Sequence, residues 1–186
     1  MYVKRIVRSL FNIITWAWFL IHGTFSAHAF VFSQNVRDRV YVIEAPLVYK
    51  VLNPVAGDSL GFTLPFVGVA YINKQAVQDA DTPLPGVISH EAKHIEQFWQ
   101  LGIHHFGIEK WKLEGMAEYV RGDSTISLCA SGVEGLHDRI KYRDYHIAVK
   151  YLIEVEGLSE DQIYNYSDYP LGVASDWINA EICKKA

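Results

Sequence analysis

The segment Ile88-Ser89-His90-Glu91-Ala92-Lys93-His94-Ile95-Glu96-Gln97 limits what this chain can become more than any other stretch. Two histidines stand four apart, with a glutamate directly after the first. On a helix, His90 and His94 fall one turn apart on the same face, where both can grip one metal ion. Glu91 lies about 100° further round, near the place a metal-held water would take. The flanks suit a helix. Asp79-Ala80-Asp81-Thr82-Pro83-Leu84-Pro85-Gly86 reads as a loop with capping and first-turn residues. Val87, Ile88, Ile95, Phe98 and Trp99 then recur as apolar positions, so a helix is expected from Leu84 to about Leu101, stopped by Gly102. His104-His105 follow; they are poorly spaced as a metal pair and read as a solvent-facing loop.

Two histidines leave a zinc ion under-coordinated, so a third ligand is needed. A second helix is expected from Ile108 to Val120, ended by Arg121-Gly122. It carries Glu114 and Glu118 four apart, on one helical face. Nineteen residues separate His94 from Glu114, enough for one helix to end and a second to pack across it. Glu114 would complete a His2Glu set with a fourth position open for water. Glu118 would accept the outer ring N–H of a ligating histidine. Carboxylates at this spacing are also common on plain solvated helix faces. Gly115 and Ala117 favour the metal reading, because small residues beside Glu114 permit close helix approach.

The remainder supplies strands first and helices after, which is an α+β order. Val40–Ile43 and Leu47–Leu52 are rich in β-branched and aromatic residues and read as two strands or one interrupted strand, with Pro46 between them. Gly61–Ile72 reads as a further strand; its proline and glycines place it at a sheet edge, where an extended peptide could add itself. Leu136–Glu156 has a helical pattern, with Lys141–Asp144 the stretch where it could break and Gly157 its stop. Ser159-Glu160-Asp161-Gln162 has capping-box form and starts a short helix through Tyr164. A final helix is expected from Val173 to about Cys183, with Trp177 and Ile178 inward.

The first thirty residues have a different character. Lys4, Arg5 and Arg8 precede an apolar run from Leu10 to Ile21, and Ala27-His28-Ala29 has the small-x-small form of a signal-peptidase site. A span of the bilayer takes about 20 residues, so a cleaved export signal (residues 1–29) ahead of one domain (30–186) is favoured over a retained membrane anchor. Without those three cations the formal net charge moves from −4 to −7, which argues against nucleic acid as a partner. Half the residues are hydrophobic, enough for a sizeable core. Cys129 and Cys183 are compatible with one disulfide in an exported protein, or with two small unpaired core residues.

His90-Glu91-x-x-His94, nineteen residues, then Glu114-Gly115-x-Ala117 resembles the gluzincin group of zinc metallopeptidases, which includes thermolysin and the aminopeptidase N-like enzymes. The resemblance covers roughly residues 62 to 153. It implies one Zn2+ held by His90, His94 and Glu114, Glu91 as general base, and a peptide or protein as substrate. It also implies Glu118 as the acid behind a ligating histidine and Gly68-Val69-Ala70 as the edge that aligns substrate. Such enzymes supply an oxyanion donor after the third ligand; Tyr145 fits that pattern, with Tyr142 and His146 as rivals. The Gly-x-Met-x-Asn motif that holds a free α-amine is missing, so aminopeptidase activity is not implied. The expectation is an exported, periplasmic or secreted, zinc peptidase. Its alternative is a zinc-binding envelope module that recognises without cutting.

Overall fold

A computed structural model describes residues 35–122, 127–129 and 137–184; the export segment expected over 1–29 lies outside them. The fold is α+β, a small mixed sheet laid against a helical body. After a 3-10 turn at Val36–Arg39, strand β1 (Val40–Ile43) leads into helix α1 (Pro46–Leu52). Strands β2 (Gly61–Leu64) and β3 (Val69–Asn73) come next, followed by helix α2 (Lys74–Asp79) and helix α3 (Leu84–Leu101). A second 3-10 turn, Gly102–Gly107, leads to α4 (Lys110–Arg121). Helices α5 (His137–Glu154), α6 (Glu160–Tyr164) and α7 (Leu171–Ile178) complete the body, with a π-type turn at Asn179–Cys183. None of the described helices is long and apolar enough to cross a membrane.

Leu47–Leu52 is helical, not a strand. Pro46 sits in the first turn, where its fixed φ and missing N–H cost nothing. Only Tyr49 of that helix is buried, and its hydroxyl pairs with Ser59 at 2.8 Å. The β-branched content gave no alternating burial for a strand to use.

Gly61–Ile72 is two strands where one edge strand was expected. Pro65 falls in the connecting turn, and Gly68 closes it at φ +66°, a conformation that favours glycine. β2 pairs antiparallel with β3 (Thr63 opposite Ala70), and β1 pairs parallel with β3 on its other side (Val40 opposite Ala70). Val69 and Ala70 therefore belong to the central strand, and Gly68 to the turn, so Gly68-Val69-Ala70 presents no free edge. The two edge strands are β1 and β2, and β2 is the one that lines the cleft beside Glu91.

Ile72, Val77 and Val87 join the sheet to α2 and α3. Trp111, Met116, Ala148, Val149, Leu152 and Ile163 form the core among α4, α5 and α6. α5 runs unbroken through Lys141–Asp144. The small residue Gly115 serves this contact, not the contact with α3: a Cβ there would stand 2.5 Å from the carbonyl oxygen of Tyr145. Both halves of the Ser159–Gln162 capping box form. The final helix reaches Cys183 as expected, α-helical over Leu171–Ile178 and continuing as a π-helix over Asn179–Cys183, with Ile178 buried and Trp177 half-buried against Tyr151. Cys129 and Cys183 are joined in a disulfide. It closes a long loop and is worth about 2–4 kcal/mol.

Candidate metal centre

α3 and α4 pack so that His90, His94 and Glu114 converge. His90 Nε2 and His94 Nε2 are 3.1 Å apart, and Glu114 Oε2 is 3.5 Å from the first and 3.3 Å from the second. Bonds of about 2.0–2.1 Å at tetrahedral angles put neighbouring ligand atoms about 3.3 Å apart. The three donor atoms thus describe one face of a tetrahedron of the right size. Among the described residues this is the group of His, Cys, Asp and Glu side chains that could hold a metal ion. Burial penalises charge on Glu114 and on His90. At Glu114, the bonds from His90 and His94 outweigh burial and hold the carboxyl well below its usual range. At His90, burial is likewise outweighed by Glu114 and Glu118, which raise the imidazole to about 10.

The outer ring nitrogens are also held. His90 Nδ1 lies 3.1 Å from Glu118 Oε1, in a contact bent away from an ideal hydrogen-bond line. Glu118 is fully sequestered beside Arg121, at 3.4 Å, and Arg121 in turn donates to Thr82. His94 Nδ1 is 2.9 Å from Gln97 Oε1, and Gln97 Nε2 donates to the Leu113 carbonyl at 2.9 Å. Gln97 is completely buried, so it locks the orientation of His94 to the backbone of α4. Sequence reasoning missed this residue, although its position three after His94 on one helical face was a usable signal. Replacing Gln97 with Leu keeps the volume but removes both bonds. Metal affinity should then fall about 10–100-fold, read by competition against a chromophoric chelator. Unchanged affinity would take Gln97 out of the centre.

Glu91 is buried on the sheet side. Thr63 Oγ1 donates to its Oε2 at 2.7 Å. A Cβ on Gly61 would lie 2.5 Å from its Oε1, so only glycine leaves room for the carboxylate under β2. Neither Thr63 nor Gly61 is legible as a partner from spacing, since both reach Glu91 across the fold.

The cleft over the centre has two halves that meet at Gly61, His90, Glu91 and Tyr142. One, of about 680 Å³, continues past Leu60, Val87 and Arg139. The other, of about 460 Å³, continues past Thr63, Pro65, His94, His105 and Phe106. His105 is thus a wall residue of the cleft and does not face away into solvent. Its ring rests against Phe98 and Phe106, and burial, reinforced by His94, lowers its pKa.

Of the three oxyanion candidates, Tyr142 is the one that lines the cleft, its ring centroid 6.5 Å from that of His90. Tyr145, the residue favoured by the sequence pattern, packs instead on the core between α4 and α5 and against Tyr169. The two tyrosines are three apart on α5, and the turn of that helix selects between them. His146 is buried beside Tyr119 and touches neither half of the cleft.

Burial lowers the His146 pKa to about 4. The unfolded chain takes up this proton below about pH 6.5, while the folded chain refuses it until about pH 4. The unfolded state therefore binds more protons between these limits, and stability falls as the pH drops through them. By pH 4.5 this costs about 2–3 kcal/mol. His146→Phe should lose correspondingly less stability than the parent between pH 7.5 and 4.5, measured by urea unfolding. Equal losses would show that His146 is not the group responsible.

No family profile, characterised protein or solved structure matches this chain.

Proposed function

We propose that this protein is an exported, zinc-dependent peptidase of the gluzincin type. The observation that carries the reading is the His90–His94–Glu114 triangle, with edges of 3.1, 3.3 and 3.5 Å, set beside a buried carboxylate that is not part of it. Two imidazoles and one carboxylate at tetrahedral spacing suit Zn2+ with one position left open. Export is supported by the Cys129–Cys183 disulfide, which persists in oxidising compartments.

His90, His94 and Glu114 would hold a zinc ion, which would supply Lewis acidity to a water and to a carbonyl. The chain's own groups do the rest. Gln97 and Glu118 keep the two imidazoles in the tautomer that presents Nε2 to the cleft. Glu91, with one oxygen held by Thr63, takes a proton from the attacking water and passes it to the leaving amine. Tyr142 replaces Tyr145 in donating a hydrogen bond to the developing oxyanion. The free edge of β2 replaces Gly68-Val69-Ala70 as the strand that aligns an extended substrate.

Metal analysis joined to a hydrolysis assay tests the reading. Purified protein should carry one equivalent of zinc and cleave casein, and EDTA should stop the cleavage. Stoichiometric zinc without cleavage would turn the protein into a recognition module; no zinc at all would dispose of both readings.

A further inference from the structure

At one end of the cleft, five large apolar side chains stand in solvent: Phe66, Val67, Trp99, Ile103 and Phe106, each 42–80 % exposed. Phe66, Phe106 and the neighbouring Phe98 form one aromatic cluster. Phe66 stacks on Phe106 at 5.4 Å, and both meet Phe98 edge-on. Trp99 lies under Gly68, close enough that a Cβ there would be 3.0 Å from the indole, and Arg39 covers its ring. Scattered apolar residues on a surface need no explanation, but a contiguous group of this kind marks a binding surface.

The cluster continues the cleft. Along β2, Leu60 lines the first half, Gly61 lines both, and Phe62, Thr63 and Pro65 line the second; the next residue is Phe66. Along α3, Val87 lines the first half, His90 and Glu91 line both, and His94 lines the second; Phe98 and Trp99 follow one turn on. The strand edge and the helix that form the two walls run out at the same place. Phe106 belongs to both wall and cluster.

From this continuity we propose that the cluster is the outer subsite for substrate, taking an aromatic or aliphatic side chain of an extended peptide whose backbone pairs with the free edge of β2. The inference rests on the peptidase reading. β2 sets the guest's register from Gly61 to Leu64 at about 3.3 Å per residue, and Phe66 stands in the turn just past its end, so the side chain concerned is about three to five residues from the bond cleaved. It lies on one side of that bond only, because the other half of the cleft ends in Lys50, Asp58, Asp79 and Arg139.

The test uses the zinc-loaded chain and short labelled peptides of Ala, Gly and Ser, each ending in a hydroxamate that fixes its register on the metal. One series extends to either side, with a single Phe at successive positions, and affinity is read by fluorescence anisotropy. In one series, Phe about three to five residues from the hydroxamate should tighten binding about tenfold over Ser. Phe66→Ser and Phe106→Ser, both at exposed positions, should each bring that ratio close to one. Binding with no positional preference would overturn the proposal while leaving the metal centre intact. Failure of both series to bind would remove the centre and the proposal together. Vesicles of phosphatidylcholine that capture the parent chain but not Phe66→Ser, with no positional preference among the peptides, would assign the cluster to a membrane surface and overturn it too.

Discussion

Glu91→Gln should leave the protein folded and zinc-loaded while lowering peptide hydrolysis by about 10²–10⁴-fold, the span that a positioned general base contributes. The amide keeps the shape of the carboxylate beneath Gly61, and its oxygen still accepts the Thr63 hydroxyl. What it loses is the ability to take a proton from water. Because Glu91 lies outside the triangle of ligand atoms, metal content should be unchanged. Zinc stoichiometry, a thermal melt and casein hydrolysis, measured on the same preparation, separate these effects. Hydrolysis at the parent rate would remove Glu91 from the mechanism, and lost zinc would mean that the carboxylate belongs to the ligand set.

Removing the metal should have the largest effect on stability. An ion present at about a thousand times its dissociation constant stabilises the state that binds it by about 4 kcal/mol. EDTA should therefore lower the urea midpoint of the parent chain substantially. His94→Ala removes one corner of the triangle, and with it the link that Gln97 makes between that corner and the backbone of α4. That variant should carry no stoichiometric zinc, and its midpoint should not respond to EDTA. A parent chain indifferent to EDTA, or a variant with full zinc, would show that the triangle holds no structural or catalytic ion.

Much of the helical body was legible because its signals are local. The bounds of α3 follow from its apolar spacing and from Gly102, which takes φ +54° at its end. The α6 capping box needs only residues 159–162. The sheet was less legible. Tyr49 draws α1 inward as a helix, and the turn at Pro65–Gly68 makes a hairpin of what read as one strand. Strand pairing depends on partners distant in the chain, and β-propensity describes a fit to such partners more than a property of the segment.

The His90–His94–Glu114 group was foreseen from spacing, from the small residues beside Glu114 and from the resemblance to the gluzincins. Four residues on an α-helix always bring two side chains to one face, and the E-x-x-x-E run on the next helix offered the third donor. Choices of face and edge belonged to the tertiary structure. It turned Gly115 toward α5, put Tyr142 rather than Tyr145 over the cleft, set the edge strand β2 beside the cleft, and brought Thr63 and Gly61 against Glu91. The sequence by itself determined which groups could meet an ion, because helical periodicity is built into the backbone. Only packing decided what surrounds them, since those contacts join segments that no local rule relates.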